Sequence, residues 1–388
     1  MKTFKTIAAV TALSLGLSAP AMAEDGVTDT EITLGGAHDL SSIFAPFSVP
    51  AVKAAQLYFD EINAAGGVHG RKINYMVEDH SYQVPKAVQA ANKLVNRDKV
   101  FAMLLSLGTP TNIAMFKLLG PKGVPNISPL TSARQMVDPP APWKFAGTSS
   151  YYDGVKQATE YMATDMGKKT FCLMYLPTDF GKEIEMGVKE GAAAAGASFG
   201  VETQHKPDET DFSGALGKIK AAGCETVGLA LGVSQTINVI ATANKLNTGV
   251  DFLLSSAGFH TVVAKGLAAQ GVMGGVHAAS GWQDLEARLG DAEVAGWVKS
   301  YTDATGEKFP GTGALLGRSA AELIVKGLDA AGPDLTREGF IKAMEGLSYE
   351  DVVAGNKVKM SAENHVAATA VYISAVENGS WKLVKTIE

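Results

Sequence analysis

The sequence predicts an α/β protein built as two doubly wound lobes, and three observations carry that reading. From Glu31 onward, short apolar runs alternate with longer stretches of helical spacing, the pattern of parallel strands joined by crossover helices. The alternation starts afresh at Thr170 and repeats the order and spacing of the first half. A chain of 388 residues is also too long for one compact core, so two domains are expected. The composition, 46% hydrophobic and 19% charged with 42 Gly and 15 Pro, excludes a collagen-like, disordered or coiled-coil protein. The 34 Lys and Arg are scattered against 40 Asp and Glu, giving a formal charge of -6 and no basic run to neutralise a line of phosphates. Nucleic acid is therefore excluded as a partner.

The first lobe opens with a strand over 32–37. A helix over about 50–65 follows, where Val52, Ala55, Phe59 and Ile62 keep helical spacing and Gly66 and Gly67 end it. A strand over 73–78, a helix over 85–96, a strand over 100–105, a helix over 110–119 and a strand over 125–128 continue the alternation. The second lobe runs strand 170–176, helix 181–195, strand 198–203, helix 212–222, strand 226–231, helix 235–246 and strand 252–255. Beyond Gly274 and Gly275 come helical patterns over 313–331 and 336–347. Two final runs, 366–376 and 381–384, flank Asn378 and Gly379, a hairpin turn signal. These last elements are expected to complete the two lobes, with the chain crossing between them more than once.

At the N-terminus, Lys2 and Lys5 precede an apolar stretch over 7–17, and Ala21, Met22 and Ala23 match a small-x-small cleavage signal. A cleavable export signal over 1–23 is expected, the apolar stretch being shorter than the roughly 20 residues a bilayer span needs. Cleavage after Ala23 removes two lysines and no acid, taking the formal charge from -6 to -8. The two cysteines, Cys172 and Cys224, lie in or beside apolar strand-like runs. Export allows them to pair, but buried thiols also behave as small apolar groups, and two free thiols are expected.

Four segments then carry a resemblance: EINAAGGVHGRKINYMVEDHSYQVPKAVQAANKLV from Glu61, VPNISPLTSA from Val124, DFGKEIEMGVKEGAAAAGA from Asp179 and TDFSGALGKIKAAG from Thr210. Together they resemble, in order and over nearly the whole chain after residue 23, the leucine/isoleucine/valine-binding protein family. These are type I periplasmic solute-binding proteins of ABC importers. The resemblance implies two Rossmann-like lobes joined by three hinge crossings, near 145–149, 275–281 and 352–359. Lobe 1 would then hold 27–147 and 278–353, and lobe 2 would hold 148–277 and 354–388. It also implies a monomer in the periplasm that closes on a small ligand and docks on an inner-membrane ABC permease, with no cofactor or metal.

The residues themselves offer an anion site, since a helix N-terminus and hydroxyls hold a carboxylate without a formal cation. Thr109 stands where an N-cap belongs, Pro110 at the first helical position, and the N–H groups of Thr111 and Asn112 point toward the expected cleft; a cap for its own helix is the other reading of Thr109. By resemblance, Leu130, Thr131 and Ser132 match the loop that contacts the ligand's amino and carboxylate groups, and Phe180 matches an aromatic wall position. Tyr151 and Tyr152 follow the first crossing, and Trp282 stands beside the second. His38 and His80, in loops at strand ends, are further candidates to face the cleft. Amino-acid binders of the family place an acid where this chain has Ser255, Ser256, Ala257 and Gly258. A buried ammonium without a partner costs several kcal/mol. Either another acid such as Asp179 replaces it, or the ligand is a carboxylate or amide without an α-amino group.

Gly311, Gly313 and Gly317 follow a polar stretch and read as a turn opening a helix rather than a phosphate loop. No P-loop, no Gly-x-Ser-x-Gly elbow and no close Cys or His pair at metal-ligand spacing occurs in the sequence, and Glu183 with Glu185 reads as solvated helix positions. A binding protein is expected, not an enzyme. A ligand-sensing input for a membrane receptor would use the same lobes and is not separated from an importer component by sequence.

Overall fold

The computed structural model describes residues 24–388; the expected export signal over 1–23 lies outside them. The first sheet is wholly parallel. In chain order it is built from β1 (Glu31–His38), α1 (Ala45–Ala64), β2 (Lys72–Asp79), α2 (Val84–Asn92), β3 (Ala102–Leu104), α3 (Thr109–Leu119), β4 (Asn126–Ile127) and β5 (Lys144–Phe145). The strands lie in the order β2-β1-β3-β4-β5. Its strands are short and almost wholly apolar where they are central, as burial on both faces requires: Ala102, Met103, Leu104 and Ile127 are all fully buried.

The second lobe repeats this plan. It opens with α4 (Tyr151–Thr164), capped by Ser150, whose Oγ accepts the Asp153 N–H at 2.9 Å. Next come β6 (Thr170–Tyr175), α5 (Asp179–Ala194), β7 (Ser198–Gln204), α6 (Ser213–Ala221), β8 (Thr226–Ala230), α7 (Val233–Lys245), β9 (Asp251–Leu254), α8 (Thr261–Ala269) and β10 (Val276–Ser280). Its parallel strands run β7-β6-β8-β9-β10, the same order as the first sheet, so the repeat in sequence is a repeat in topology.

The remaining chain serves both lobes. After α9 (Ala292–Thr305), α10 (Gly311–Ala331) packs along α1. A Cβ on Gly313 would lie 2.5 Å from the Phe47 carbonyl oxygen, and one on Gly317 2.0 Å from that of Ala51. These glycines, four residues apart on one face, let two helix backbones approach closely. The glycine-rich stretch is thus inside the helix, as a packing face, not a turn before it. Next, α11 (Arg337–Glu345) leads to a hairpin of β11 (Ser348–Asp351) and β12 (Asn356–Lys359), then β13 (Val371–Glu377) and β14 (Ser380–Ile387) add antiparallel strands beside β10.

The chain passes between the sheets three times: after Ala146, at Gly281 and between Val366 and Val371. Val366 still bridges Ala146 of the first lobe, so the third passage lies downstream of the 352–359 expected from the resemblance. Residues 348–359 pair with each other instead, and Val358 and Met360 join the first lobe's core. The first two passages touch, since a Cβ on Gly281 would lie 2.5 Å from Thr148 Cβ. Cys172 on β6 and Cys224 before β8 form a disulfide with Cα atoms 5.9 Å apart, overturning the thiol preference. Cys172 lies on β6 and Cys224 just before the adjacent β8, a juxtaposition that strand-like runs 52 residues apart do not reveal.

Candidate functional site

Between the lobes lies a cavity lined by residues of both. Its first wall comes from the loops that follow β3 and β4. Gly108, with φ of 99°, is the cap of α3, so Thr109 is the first helical residue rather than the cap. This frees the Thr109 hydroxyl to bond Thr131 Oγ1 across the two loops at 2.7 Å. Both threonines line the cavity, and the first-turn N–H groups of α3 lack intrahelical acceptors. The β4–β5 loop is held in place by Leu130 N donating to the Ser106 carbonyl at 3.0 Å and by Tyr151 N donating to that of Ser132 at 2.7 Å. Ser132 Oγ stands 3.3 Å from Thr148 Oγ1 and 3.5 Å from Ser256 Oγ, where the second lobe arrives.

Aromatic rings close the cavity. Tyr151 and Phe180 meet edge to face at 5.3 Å between ring centroids, Phe180 and Phe44 at 5.8 Å, and Phe44 and Tyr82 at 4.7 Å. Burial pushes the Tyr82 and Tyr151 phenols above their ordinary range, so both stay neutral donors. Trp282 is buried at the second passage, and its indole N–H meets no acceptor.

Of the expected site residues, Thr109, Leu130, Thr131, Ser132, Tyr151, Phe180, Ser256 and Trp282 all line the cavity. Thr111 and Tyr152 do not. The Thr111 hydroxyl turns back to donate to the Leu107 and Gly108 carbonyls, as a threonine in the first helical turn does when its own loop carbonyls are near. Tyr152 faces the outside of α4, where Arg134 stacks 3.7 Å from its ring and its hydroxyl donates to Glu190. His38 and His80 are fully buried behind the strand ends, bonded to Tyr75 Oη and the Leu107 carbonyl. Burial holds His38 down at about 3 and also lowers His80, so both are neutral. Asp179 is exposed and outside the lining.

Sequence reasoning missed two parts of the site. Phe44 and Tyr82 come from the loops after β1 and β2, and Phe47 from the first turn of α1, ahead of the helix expected from about residue 50. A further wall comes from α10, through Leu316, Ser319, Ala320 and Leu323, and from the β11–β12 hairpin. Among the described lining residues there is no Lys, Arg or His, and Asp351 of that hairpin is the one carboxyl. Glu183, expected in solvent, is instead 1% exposed: Arg134 N donates to it at 3.1 Å, and the Arg134 guanidinium and the Gln135 amide each reach it at 3.3 Å. That contact joins the β4–β5 loop to α5, one lobe to the other. Such a site, apolar with a few placed hydroxyls and helix amides, holds a small amphipathic molecule. No group of three His, Cys, Asp or Glu among the described residues is placed to hold a metal ion.

The comparisons agree with this geometry. A family model described as periplasmic binding protein matches residues 31–380. The chain belongs to that family. Within the periplasmic binding proteins, it is 24% identical over 201 residues to Leu/Ile/Val-binding protein homolog 3 of Brucella melitensis, an alignment covering 51% of this chain and 53% of the relative. It spans about half the length of the curated relatives it matches. Among solved structures, a fatty acid ABC transporter substrate-binding protein from Thermomonospora curvata superposes with a TM-score of 0.84 at 24% identity, covering 94% of each chain. A branched-chain amino acid ABC transporter protein from Thermus thermophilus with bound valine gives 0.82 at 19% identity, over 92% of this chain and 96% of that one. At such identities these likenesses establish the type I periplasmic binding protein fold.

Proposed function

We propose that this protein is the extracytoplasmic solute-binding component of an ABC importer and that its ligand is an amphipathic carboxylate lacking an α-amino group. The lobes close on the ligand, and the closed monomer delivers it to the permease; no catalytic step is involved. Export by a signal cleaved after Ala23 belongs to the same reading. The observation that carries the ligand class is the make-up of the lining. Hydroxyls of Thr109, Thr131, Ser132 and Ser256 gather beside the first turn of α3, which suits a carboxylate, while the 255–258 loop offers no acid for an ammonium beside it. Beyond them the wall is aliphatic and aromatic, which suits an apolar body longer than a valine side chain. The fatty acid protein of Thermomonospora curvata supports this choice of class.

A thermal-shift screen tests it. Medium-chain fatty acids and arylcarboxylates are expected to raise the melting temperature, since a ligand at 100 times its Kd adds about 2.7 kcal/mol to stability. A shift with leucine, isoleucine or valine and none with acids lacking the amino group would overturn the ligand class.

A further inference from the structure

The hairpin places a polar cluster in the cavity that a simple carboxylate leaves unused. Tyr349 and Asp351 are two residues apart on β11, so their side chains share a face. The antiparallel register sets Val358 opposite Tyr349 and Asn356 opposite Asp351, and all four line the cavity beside Ser319 of α10. Asn356 is 6% exposed; its amide N–H donates to the Gly281 carbonyl at 2.6 Å, while its Oδ1 meets no donor. Tyr349 Oη is buried without a partner, and Ser319 Oγ lies against the Asp351 carboxyl. Asp351 is 4% exposed, and one of its oxygens accepts the Ala354 N–H at 3.0 Å. Burial raises its pKa, against the pull of hydrogen bonds from Ala354 and Ser319.

Buried polar atoms are ordinarily paired, because leaving one unpaired forfeits its hydration with nothing in return. Here several unpaired atoms converge on one compartment, carried by different elements from the Thr109–Ser132 group. Leu105, Leu107, Leu130, Leu316 and Leu323 supply apolar wall to the same cavity. The cluster offers acceptors in Asn356 Oδ1, the Asp351 carboxyl and the Tyr349 hydroxyl oxygen. We infer that this cluster is a second polar subsite, which binds a hydrogen-bond donor, a hydroxyl or an ammonium, at the end of the ligand remote from its carboxylate. The inference rests on the carboxylate reading and narrows it to ligands that are polar at both ends.

Calorimetric titration with two matched series tests it: octanoate, 8-hydroxyoctanoate and 8-aminooctanoate, and phenylacetate, 4-hydroxyphenylacetate and 4-aminomethylphenylacetate. In at least one series the hydroxyl or amino member is expected to bind ten-fold or more tightly than its parent. Preference for the hydroxyl member identifies a neutral Asp351, and preference for the amino member an ionised one. Tyr349→Phe and Asn356→Leu should each shrink the ratio of substituted to parent affinity three-fold or more, with far-ultraviolet circular dichroism verifying the fold. Parents that bind as tightly as their substituted members overturn the subsite while leaving the carboxylate reading intact. Failure of all six to bind overturns both.

Discussion

Glu183 on α5 accepts hydrogen bonds from both the backbone N–H and the guanidinium of Arg134, a residue of the opposite lobe, at 3.1 and 3.3 Å. Glu183 is 1% exposed, so opening the cleft at this point would strip a buried carboxylate of its donors and return it to water. The contact therefore belongs to the closed arrangement. Glu183→Gln is expected to weaken closure by about 1.5–3 kcal/mol, the range for a hydrogen bond to a charged group. Small-angle scattering would show a larger radius of gyration than for the parent protein, and titration a weaker ligand affinity. Equal values in both would show that the pair does not hold the lobes together.

The Thr109–Thr131 and Ser132–Ser256 hydroxyl pairs are expected to matter for ligand more than for folding. Thr109→Ala and Ser132→Ala should each weaken binding of a carboxylate by about 1 kcal/mol, roughly five-fold, with little change in the melting temperature of the free protein. Unchanged affinity in both would remove the anion site from this end of the cavity.

The disulfide closes a loop of 52 residues between β6 and the start of β8. Replacing both cysteines by alanine is expected to cost about 2–4 kcal/mol, chiefly by releasing the unfolded chain. Denaturant unfolding of the double variant measures this; an unchanged midpoint would show that the cross-link is incidental to stability.

His260 gives stability a dependence on pH. It is fully buried in the neutral form: Nδ1 accepts the Val262 N–H at 3.0 Å, and Nε2–H donates to the Pro46 carbonyl at 3.2 Å. Burial lowers its pKa to about 4, against the smaller pull of the Pro46 hydrogen bond. Unfolded, it takes a proton below about 6.5, where the folded protein does not. Its contribution is therefore complete above pH 6.5 and is lost as pH falls toward 4. Stability of the parent minus that of His260→Asn should fall over this window. A difference that is flat between pH 7 and 4 would show that the residue does not titrate in this way.

Much of this fold was legible because its strands are buried runs and its helices keep a 3.6-residue period. The repeat beginning at Thr170 was visible for the same reason, and topology preserved it. Cavity-lining positions were legible at Thr109 from its helix-start pattern, and at Leu130–Ser132 and Phe180 by resemblance. It was not legible where the fold alone makes it. Nothing near Tyr349 or Ser319 signals a cavity, because only the packing of α10 and the hairpin brings them there. Thr111 and Tyr152 failed for a local reason: neighbours at i+2 on a helix, or i+1, cannot face the same way as Thr109 and Tyr151. Glu183 misled because a carboxylate on a helix reads as solvated until its partner from another lobe is known.

The way α11 is anchored bears on the order in which the protein is completed. Its Arg337 donates to the carbonyls of Val100 and Phe101, at the edge of β3, and Phe340 packs edge to face on Phe101 at 5.4 Å. During synthesis from the N-terminus, every parallel strand of both sheets emerges before this helix does. A nascent chain halted after Ser280 would carry all ten of those strands, yet the lobe begun first would still lack α10, α11 and the hairpin that cover it. The earlier-made half must wait for the later one before its apolar face is covered.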